Sequence, residues 1–506
     1  MLRKIRISLA VGCFVLVTML FLDFTGTFQK YLTFAAKVQF IPAFLAVNIV
    51  IIIVLLLLTL LFGRIYCSVI CPLGVLQDIV SWFSKRRKSK KHKPFRYSKP
   101  LTWLRIAFLV VFVALLVAGF TQFASLIEPY SAFGKISSNI FAPVYRLINN
   151  VLAFFSEKFN SYAFYSTEII FKSISILIIS IITFLIISIL AWQRGRIYCN
   201  SVCPIGTILG FISRFSIFKP VINLENCNSC GICAKNCKSQ CINPKEHKID
   251  YSRCVACFDC LQQCSQSAIK YSPKFIFNNN FNKNKKTQNA ENKEVEVDIS
   301  KRNFLTVSAL VATAAALKAQ ENAVDGGLAI IENKKIPKRH TPILPPSADN
   351  QRHFYQHCTA CQLCVSACPN SILHPATNIE HFMQPQMQFV RGYCRPECVR
   401  CTEICPTSAL HKISVEQKSS LKIGTATWIR NNCVVITDEV NCSNCERHCP
   451  VGAISRVPIN PDDEQSQRIP VVDVERCIGC GACENLCPAR PFSAMYVEGI
   501  EVQREI

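Results

Sequence analysis

Cysteine spacing constrains this chain more than any other feature. Cys227, Cys230, Cys233 and Cys237 precede Cys254, Cys257, Cys260 and Cys264, two consecutive C-x2-C-x2-C-x3-C runs. The run returns at Cys358, Cys361, Cys364 and Cys368 before Pro369, and at Cys477, Cys480, Cys483 and Cys487 before Pro488. Between these lie Cys394, Cys398, Cys401 and Cys405, with a three-residue first gap, and Cys433, Cys442, Cys445 and Cys449, with an eight-residue first gap. Three thiolates so spaced wrap one face of an iron-sulfur cubane, and the fourth reaches a neighbouring cluster when runs are paired. The six quartets use 24 of the 30 cysteines and predict six 4Fe-4S clusters. A zinc ribbon needs separated C-x2-C pairs rather than triplets.

Reciprocal exchange between the first two runs groups Cys227, Cys230 and Cys233 with Cys264, and Cys254, Cys257 and Cys260 with Cys237. Lys238 and Ser265 stand where such runs usually carry proline, and Cys241 has no partner by spacing and reads as a bystander.

The first part of the chain is of another kind. Ile5 to Leu22, Phe40 to Phe62, Leu101 to Phe123 and Ile169 to Trp192 are apolar over lengths that can cross a hydrocarbon core. They predict four transmembrane helices. Half the chain is hydrophobic, yet its formal charge is +23, a balance that suits basic loops of a membrane protein better than nucleic-acid binding. Lys85 to Lys99 holds nine Lys or Arg and is expected in the cytoplasm, whereas the loop from Ala124 to Glu168 is nearly neutral. Within and beside these segments, Glu128 and Asp23 are expected as solvated surface carboxylates, with acceptance of quinol protons as the alternative. Cys13, inside the first segment, reads as a small packing residue.

An internal repeat follows the second and fourth segments. Gly63-Arg64-Ile65-Tyr66-Cys67 and Cys71-Pro72-Leu73-Gly74 return as Gly195-Arg196-Ile197-Tyr198-Cys199 and Cys203-Pro204-Ile205-Gly206. Helical backbone would put both thiols of a copy on one face. Cys67, Cys71, Cys199 and Cys203 are candidates for one shared iron-sulfur or other metal site; redox-active thiol pairs and inert packing cysteines remain open.

Five regions follow: a four-helix module over 1–220, a two-cluster ferredoxin-like domain over 221–272, an Asn/Lys-rich linker over 273–299, a signal-like helix over 300–320 and a four-cluster domain over 345–506. The expected fold class is multidomain: an all-α membrane module followed by α+β ferredoxin-like domains. Ser300-Lys301-Arg302-Asn303-Phe304-Leu305 before an alanine-rich run resembles an internal twin-arginine export signal, with Lys301 replacing the first arginine. Export would place the last domain in the periplasm and leave the first ferredoxin domain in the cytoplasm.

The assembled motifs resemble a NapH-type membrane quinol dehydrogenase, with two C-x3-C-P motifs and a two-cluster ferredoxin, fused to a NapG/MauM-type four-cluster polyferredoxin. The resemblance implies a multi-pass protein of the bacterial inner membrane that draws on the quinone pool. It also implies nested exchange in the last domain. Cys358, Cys361 and Cys364 would share a cluster with Cys487, and Cys477, Cys480 and Cys483 with Cys368; Cys394, Cys398 and Cys401 would pair with Cys449, and Cys433, Cys442 and Cys445 with Cys405.

Clusters pass single electrons and have no substrate chemistry of their own. No G-x-G-x-x-G follows a strand and no C-x-x-C-H is present, so nicotinamide, flavin and covalent haem fingerprints are missing. All nine histidines lie outside the four apolar segments, which leaves no bis-histidine haem in the bilayer. The expected function is quinol oxidation, with delivery to a periplasmic or extracytoplasmic reductase or cytochrome. Copper reduction, assembly of respiratory enzymes, or electron distribution within the cytoplasm are the alternatives. One difficulty accompanies the main reading: the C-x3-C-P motifs fall at the cytoplasmic ends of their helices, and an exported domain lies beyond a core about 30 Å thick. An outer quinol site or an additional partner is then needed.

Overall fold

A computed structural model of the protein describes residues 1–86, 95–161, 163–273, 324–325, 329–330, 332–463 and 466–506. The linker over 273–299, apart from its first residue, and the signal-like helix over 300–320 lie outside the described residues, as does the middle of the basic loop.

The helical module contains α1 (Leu2–Leu22), α2 (Gln29–Lys37), α3 (Phe40–Leu45), α4 (Ile49–Phe62), α5 (Ile65–Val69), α6 (Pro72–Arg86), α7 (Thr102–Val117), α8 (Thr121–Ile127), α9 (Pro129–Ile136), α10 (Ala142–Lys158), α11 (Ile174–Arg194), α12 (Ile197–Ser201) and α13 (Pro204–Ser213). Among the described residues two helices, α1 and α11, are long and apolar enough to cross a membrane. Only 28% and 22% of their apolar windows are buried, so most of each apolar surface faces outward from the fold. The other two expected spans are each interrupted. The second breaks at Ala46–Asn48, where Val47 has φ +52° and the Asn48 side chain caps α4 by accepting from Ile51 N–H. The third breaks before α8 at Gly119, φ +80°. At 1.5 Å per residue, α4 and α7 cover about 21 and 24 Å. Their outward side chains, such as Val50, Ile53, Val110 and Val113, are nevertheless exposed apolar groups continuous in kind with those of α1 and α11.

The first part of the predicted outer loop is buried rather than solvated, whereas most of it beyond Ala142 is exposed. Every residue of α9 is buried, and α9 packs on α6 and α11. Glu128, 1% exposed, caps α9 by accepting from the backbone N–H groups of Tyr130 and Ser131. Lys135 Nζ donates to Ser125 O at 3.1 Å and Oγ at 2.8 Å. Asp23, also buried, accepts from the N–H groups of Thr25, Gly26, Phe28 and Gln29, and so folds the turn into α2. Both carboxylates satisfy local backbone donors, which is why neither needs water.

Each repeat copy breaks between its cysteines. Cys67 lies in α5 and Cys71 precedes α6; Cys199 lies in α12 and Cys203 precedes α13. The one-face expectation fails because Pro72 and Pro204 disfavour helical backbone in the residue before them. Cys203 accordingly has ψ 119°, and its sulfur caps α13 by accepting from Gly206 N–H at 3.3 Å.

The first ferredoxin domain begins at Phe218, slightly before the expected boundary, because strand Phe218–Ile222 pairs antiparallel with Ile269–Pro273 and brackets both cysteine runs. It grips one end of the helices. Arg196 N–H donates to Lys238 O at 2.9 Å, Arg105 Nη1 to Ser252 Oγ at 3.1 Å, and Arg3 Nε meets Asp259 at 2.8 Å. Gly195, φ +66°, ends α11 where a Cβ would lie 2.5 Å from Lys238 O. The four-cluster domain seats on the opposite end: Thr121 Oγ1 donates to Tyr355 O at 2.7 Å, Ser366 to Ser138 at 2.8 Å, and Leu363, Ala367 and Ile404 share one apolar core with Phe21 and Phe133. This domain is already folded at Arg339, which pairs with Glu484 at 2.5 Å.

Candidate iron-sulfur centres

Each pair of cysteine runs is built alike. A run ends in a short helix and its fourth cysteine, a hairpin turns the chain back, and the next run follows alongside. The hairpins are Ile242–Asn243 with Lys248–Ile249, Leu373–Pro375 with Pro385–Met387, and Ile454–Pro458 with Arg468–Val472. The short helices then pack in pairs: Ile232–Asn236 on Asp259–Gln263, Leu363–Ala367 on Arg400–Ile404, and Asn444–Arg447 on Ala482–Leu486.

In the first ferredoxin domain the expected groups come together. Cys227, Cys230, Cys233 and Cys264 line one cavity, and Cys237, Cys254, Cys257 and Cys260 another. Cys241 lines the second cavity too, with its sulfur 3.5 Å from that of Cys237, so it is not a bystander. Hydrogen bonding from Cys241 holds the Cys237 thiol below its usual value and lowers Cys254 as well, which favours the thiolate form that iron needs. A hydrogen bond to a cluster sulfur raises a cluster's potential. Cys241→Ala is therefore expected to shift one midpoint potential of this domain negative while leaving its iron content unchanged, as redox titration followed by electron paramagnetic resonance would record.

The nested exchange expected for the last domain is corrected by its geometry. Cys368 lines one cavity with Cys394, Cys398 and Cys401, and Cys449 lines another with Cys477, Cys480 and Cys483. Cys405 lies within electrostatic reach of Cys358, Cys361 and Cys364. Cys433 and Cys487 share one core with Cys442, which neighbours Cys445. Exchange is therefore between consecutive runs. The hairpins dictate it, because each returns the chain beside the run it has just left.

The donor sets fit iron-sulfur clusters better than single metal ions. Four sulfurs at about 2.3 Å from one zinc stand only about 3.8 Å apart. Among the described residues no three cysteine sulfurs gather within 4.8 Å; the one close group of three possible ligands is Asp349, His353 and His411, which are partly or fully exposed. Burial pushes the Cys361, Cys257 and Cys480 thiols up to about 12, so their thiolates depend on bound iron.

Sequence reasoning noted Lys238 only as a departure from proline and did not foresee its ion pairs. Its ammonium lies 3.4 Å from Asp78 and 3.2 Å from Asp259, which ties the first ferredoxin domain to α6. Asp78 also meets Arg6 and Arg196, each at 2.9 Å. Lysine in the usual proline position was the available signal.

Comparison with known proteins agrees with this construction. A 4Fe-4S binding domain family matches twice, at residues 44–91 and 176–223, once over each C-x3-C-P copy. A 4Fe-4S dicluster domain family matches residues 440–490, which joins Cys442, Cys445 and Cys449 with the last run as one unit. The methylamine utilization ferredoxin-type protein MauM of Methylophilus methylotrophus is 33% identical over 168 residues, 32% of this chain and 72% of that protein. MauM of Methylobacillus flagellatus is 31% identical over 166 residues, 32% of this chain and 70% of its own. The ferredoxin-type protein NapF of Escherichia coli is 29% identical over 165 residues, 32% of this chain and 88% of NapF. No solved structure matches the chain significantly. Fold and cysteine cages thus define an iron-sulfur electron-transfer protein, a polyferredoxin. Through about a third of its length, the chain belongs to the MauM family of ferredoxin-type proteins.

Proposed function

We propose that this protein is a membrane-embedded electron carrier of the bacterial inner membrane, joining a NapH-type quinol dehydrogenase module to an exported polyferredoxin. It takes electrons from the quinone pool and delivers them to an extracytoplasmic reductase or cytochrome. Six 4Fe-4S clusters, one per cysteine quartet, would supply one-electron exchange. Quinol oxidation would release two electrons and two protons; clusters held by these cysteines would accept the electrons one at a time, and the protons would leave to water.

One observation carries this reading: the two ferredoxin parts hold opposite ends of the same apolar helices. That arrangement supports a carrier spanning a bilayer over a distributor confined to one side. With α3 and α8 extending α4 and α7, four crossings fit the exposed apolar faces. Within the last domain the cages follow one another away from the helices. Cys364 neighbours Cys401, Cys394 N–H donates to Cys480 O at 2.9 Å, and Cys483 neighbours Cys445.

The test uses the full-length protein in lipid nanodiscs under anaerobic conditions. Addition of a reduced short-chain quinol should bleach the visible iron-sulfur absorbance and produce reduced-cluster paramagnetic signals, as one-electron reduction of such centres does. Full reduction by dithionite with none by any quinol would overturn quinol as the donor. Protease digestion of intact spheroplasts should remove the segment from Cys358 onward; its protection would overturn export.

A further inference from the structure

The duplicated module holds a set of groups that the six quartets do not use. Cys67, Cys71, Cys199 and Cys203 are each 5% exposed or less and share one buried core. Each repeat supplies two of them, too few for a cluster by itself. Every one of the four is within electrostatic reach of the other three, yet they form no disulfide and no three gather as closely as a single metal ion would draw them. Among the described residues the ferredoxin quartets likewise show no three sulfurs gathered that closely.

The repeats exchange contacts around these sulfurs. Arg64 Nη2 donates to Cys199 O at 3.1 Å, and Arg196 Nη1 donates to Cys67 O, so each arginine clasps the cysteine backbone of the other copy. Gly74 and Gly206 lie against the carbonyls of Cys67 and Cys199, where a Cβ would collide with backbone. Arg64 is fully buried; its other partners are Asn200 Oδ1 at 2.8 Å, Ser252 O at 3.0 Å and the Cys67 sulfur at 3.8 Å. Among the described residues it has no carboxylate partner, and Arg64 Nε and Arg196 Nη2 have no hydrogen-bond acceptor. A buried guanidinium without a counter-charge is costly. The arrangement calls for an anion between the thiols, and an iron-sulfur core held by four thiolates is one.

The site is also where a connection is needed. On one side, Cys257 and Val255 of the first ferredoxin domain belong to the same core, and Arg64 spans from the Cys67 sulfur to the carbonyl of Ser252. On the other side stand Tyr66 and Tyr198, equivalent residues of the two repeats, then Glu128 and Tyr130. Tyr130 and Gly134 of α9 reach Cys361 of the four-cluster domain. Inward folding of α8 and α9 removes the gap that an outer loop would leave.

We propose that Cys67, Cys71, Cys199 and Cys203 together hold one iron-sulfur cluster, shared between the two repeats, which links the two ferredoxin parts into a single electron path. An electron leaving the reduced centre of Cys237, Cys254, Cys257 and Cys260 reduces this one, and its reoxidation passes the same electron to the centre of Cys358, Cys361, Cys364 and Cys405. No bond to substrate forms and no proton is taken up. The inference rests on the electron-carrier reading but does not require quinol as the donor.

Full-length protein purified anaerobically should contain iron and acid-labile sulfide beyond the content of six four-iron clusters. The double variant Cys67→Ala/Cys203→Ala should lose all of that excess and one set of paramagnetic signals, with the remainder unchanged; Cys13→Ala should lose nothing. Reduced flavodoxin offered to the first ferredoxin domain should reduce the last domain in the wild type and fail to do so in the double variant. Wild-type protein with iron for six clusters only, or zinc at these sulfurs, would overturn the proposal, and that measurement does not depend on the variant folding. Since no arm uses quinol, an incorrect donor assignment would leave these results as expected.

Discussion

Asp78→Asn is expected to loosen the first ferredoxin domain from the helical module and cost about 3–5 kcal/mol of stability, the usual consequence of removing one partner from a buried ion network. Arg6 and Arg196 each lie 2.9 Å from the Asp78 carboxylate and Lys238 lies 3.4 Å away, so one substitution leaves three cations facing one another. Burial alone would push the Asp78 carboxyl up, but Arg196, Lys238 and Arg6 overcome this and hold it well below the usual carboxylate range. A carboxyl depressed in the folded state contributes its full stability above its unfolded value and loses it as pH falls through the folded one. Neutral pH therefore shows the whole effect of the substitution. Lowered midpoint temperature in nanodiscs, with earlier proteolysis between α13 and Phe218, would record it. Lys248→Ala, at an exposed pair 3.7 Å from Glu246, should change neither.

This network also marks where the sequence could and could not be read. Regular spacing made the ligand groups of the first ferredoxin domain visible, because a cubane fixes which thiols can reach it. The four apolar segments were equally plain, but their breaks depended on Asn48 and Gly119, each a single polar or flexible residue in an apolar run. Burial of Glu128 and Lys135 was hidden, since their partners are backbone N–H groups of α9 and the oxygens of Ser125, which no charge pattern announces. Pro72 and Pro204 did carry a usable signal: proline bends the chain at the cysteine before it and turns two thiols inward from separate helices. Cys241 offered none, because its role comes from the turn that brings its sulfur to Cys237. The nested ligation implied by resemblance failed for a similar local reason, the hairpin inside each pair of runs.

That failure yields the sharpest remaining test. Cys405→Ala is expected to abolish the centre built by Cys358, Cys361 and Cys364, whereas nested exchange would direct the loss to the centre of Cys433, Cys442 and Cys445. Two double variants separate the possibilities, since substitutions in one shared unit do not add and those in separate units do. Cys405→Ala with Cys361→Ala should remove no more iron than either alone. Cys405→Ala with Cys442→Ala should remove two clusters' worth, and Mössbauer spectra of uniformly labelled protein would count them. The functional consequence differs as well. Cys361 touches Gly134 of α9, so this is the first centre of the last domain that an electron from the helical module meets. Its loss should leave the three outer centres reducible by dithionite but cut off from any donor acting through the module. Cys487→Ala, at the core shared with Cys433, should remove a distal centre and leave entry into the domain intact.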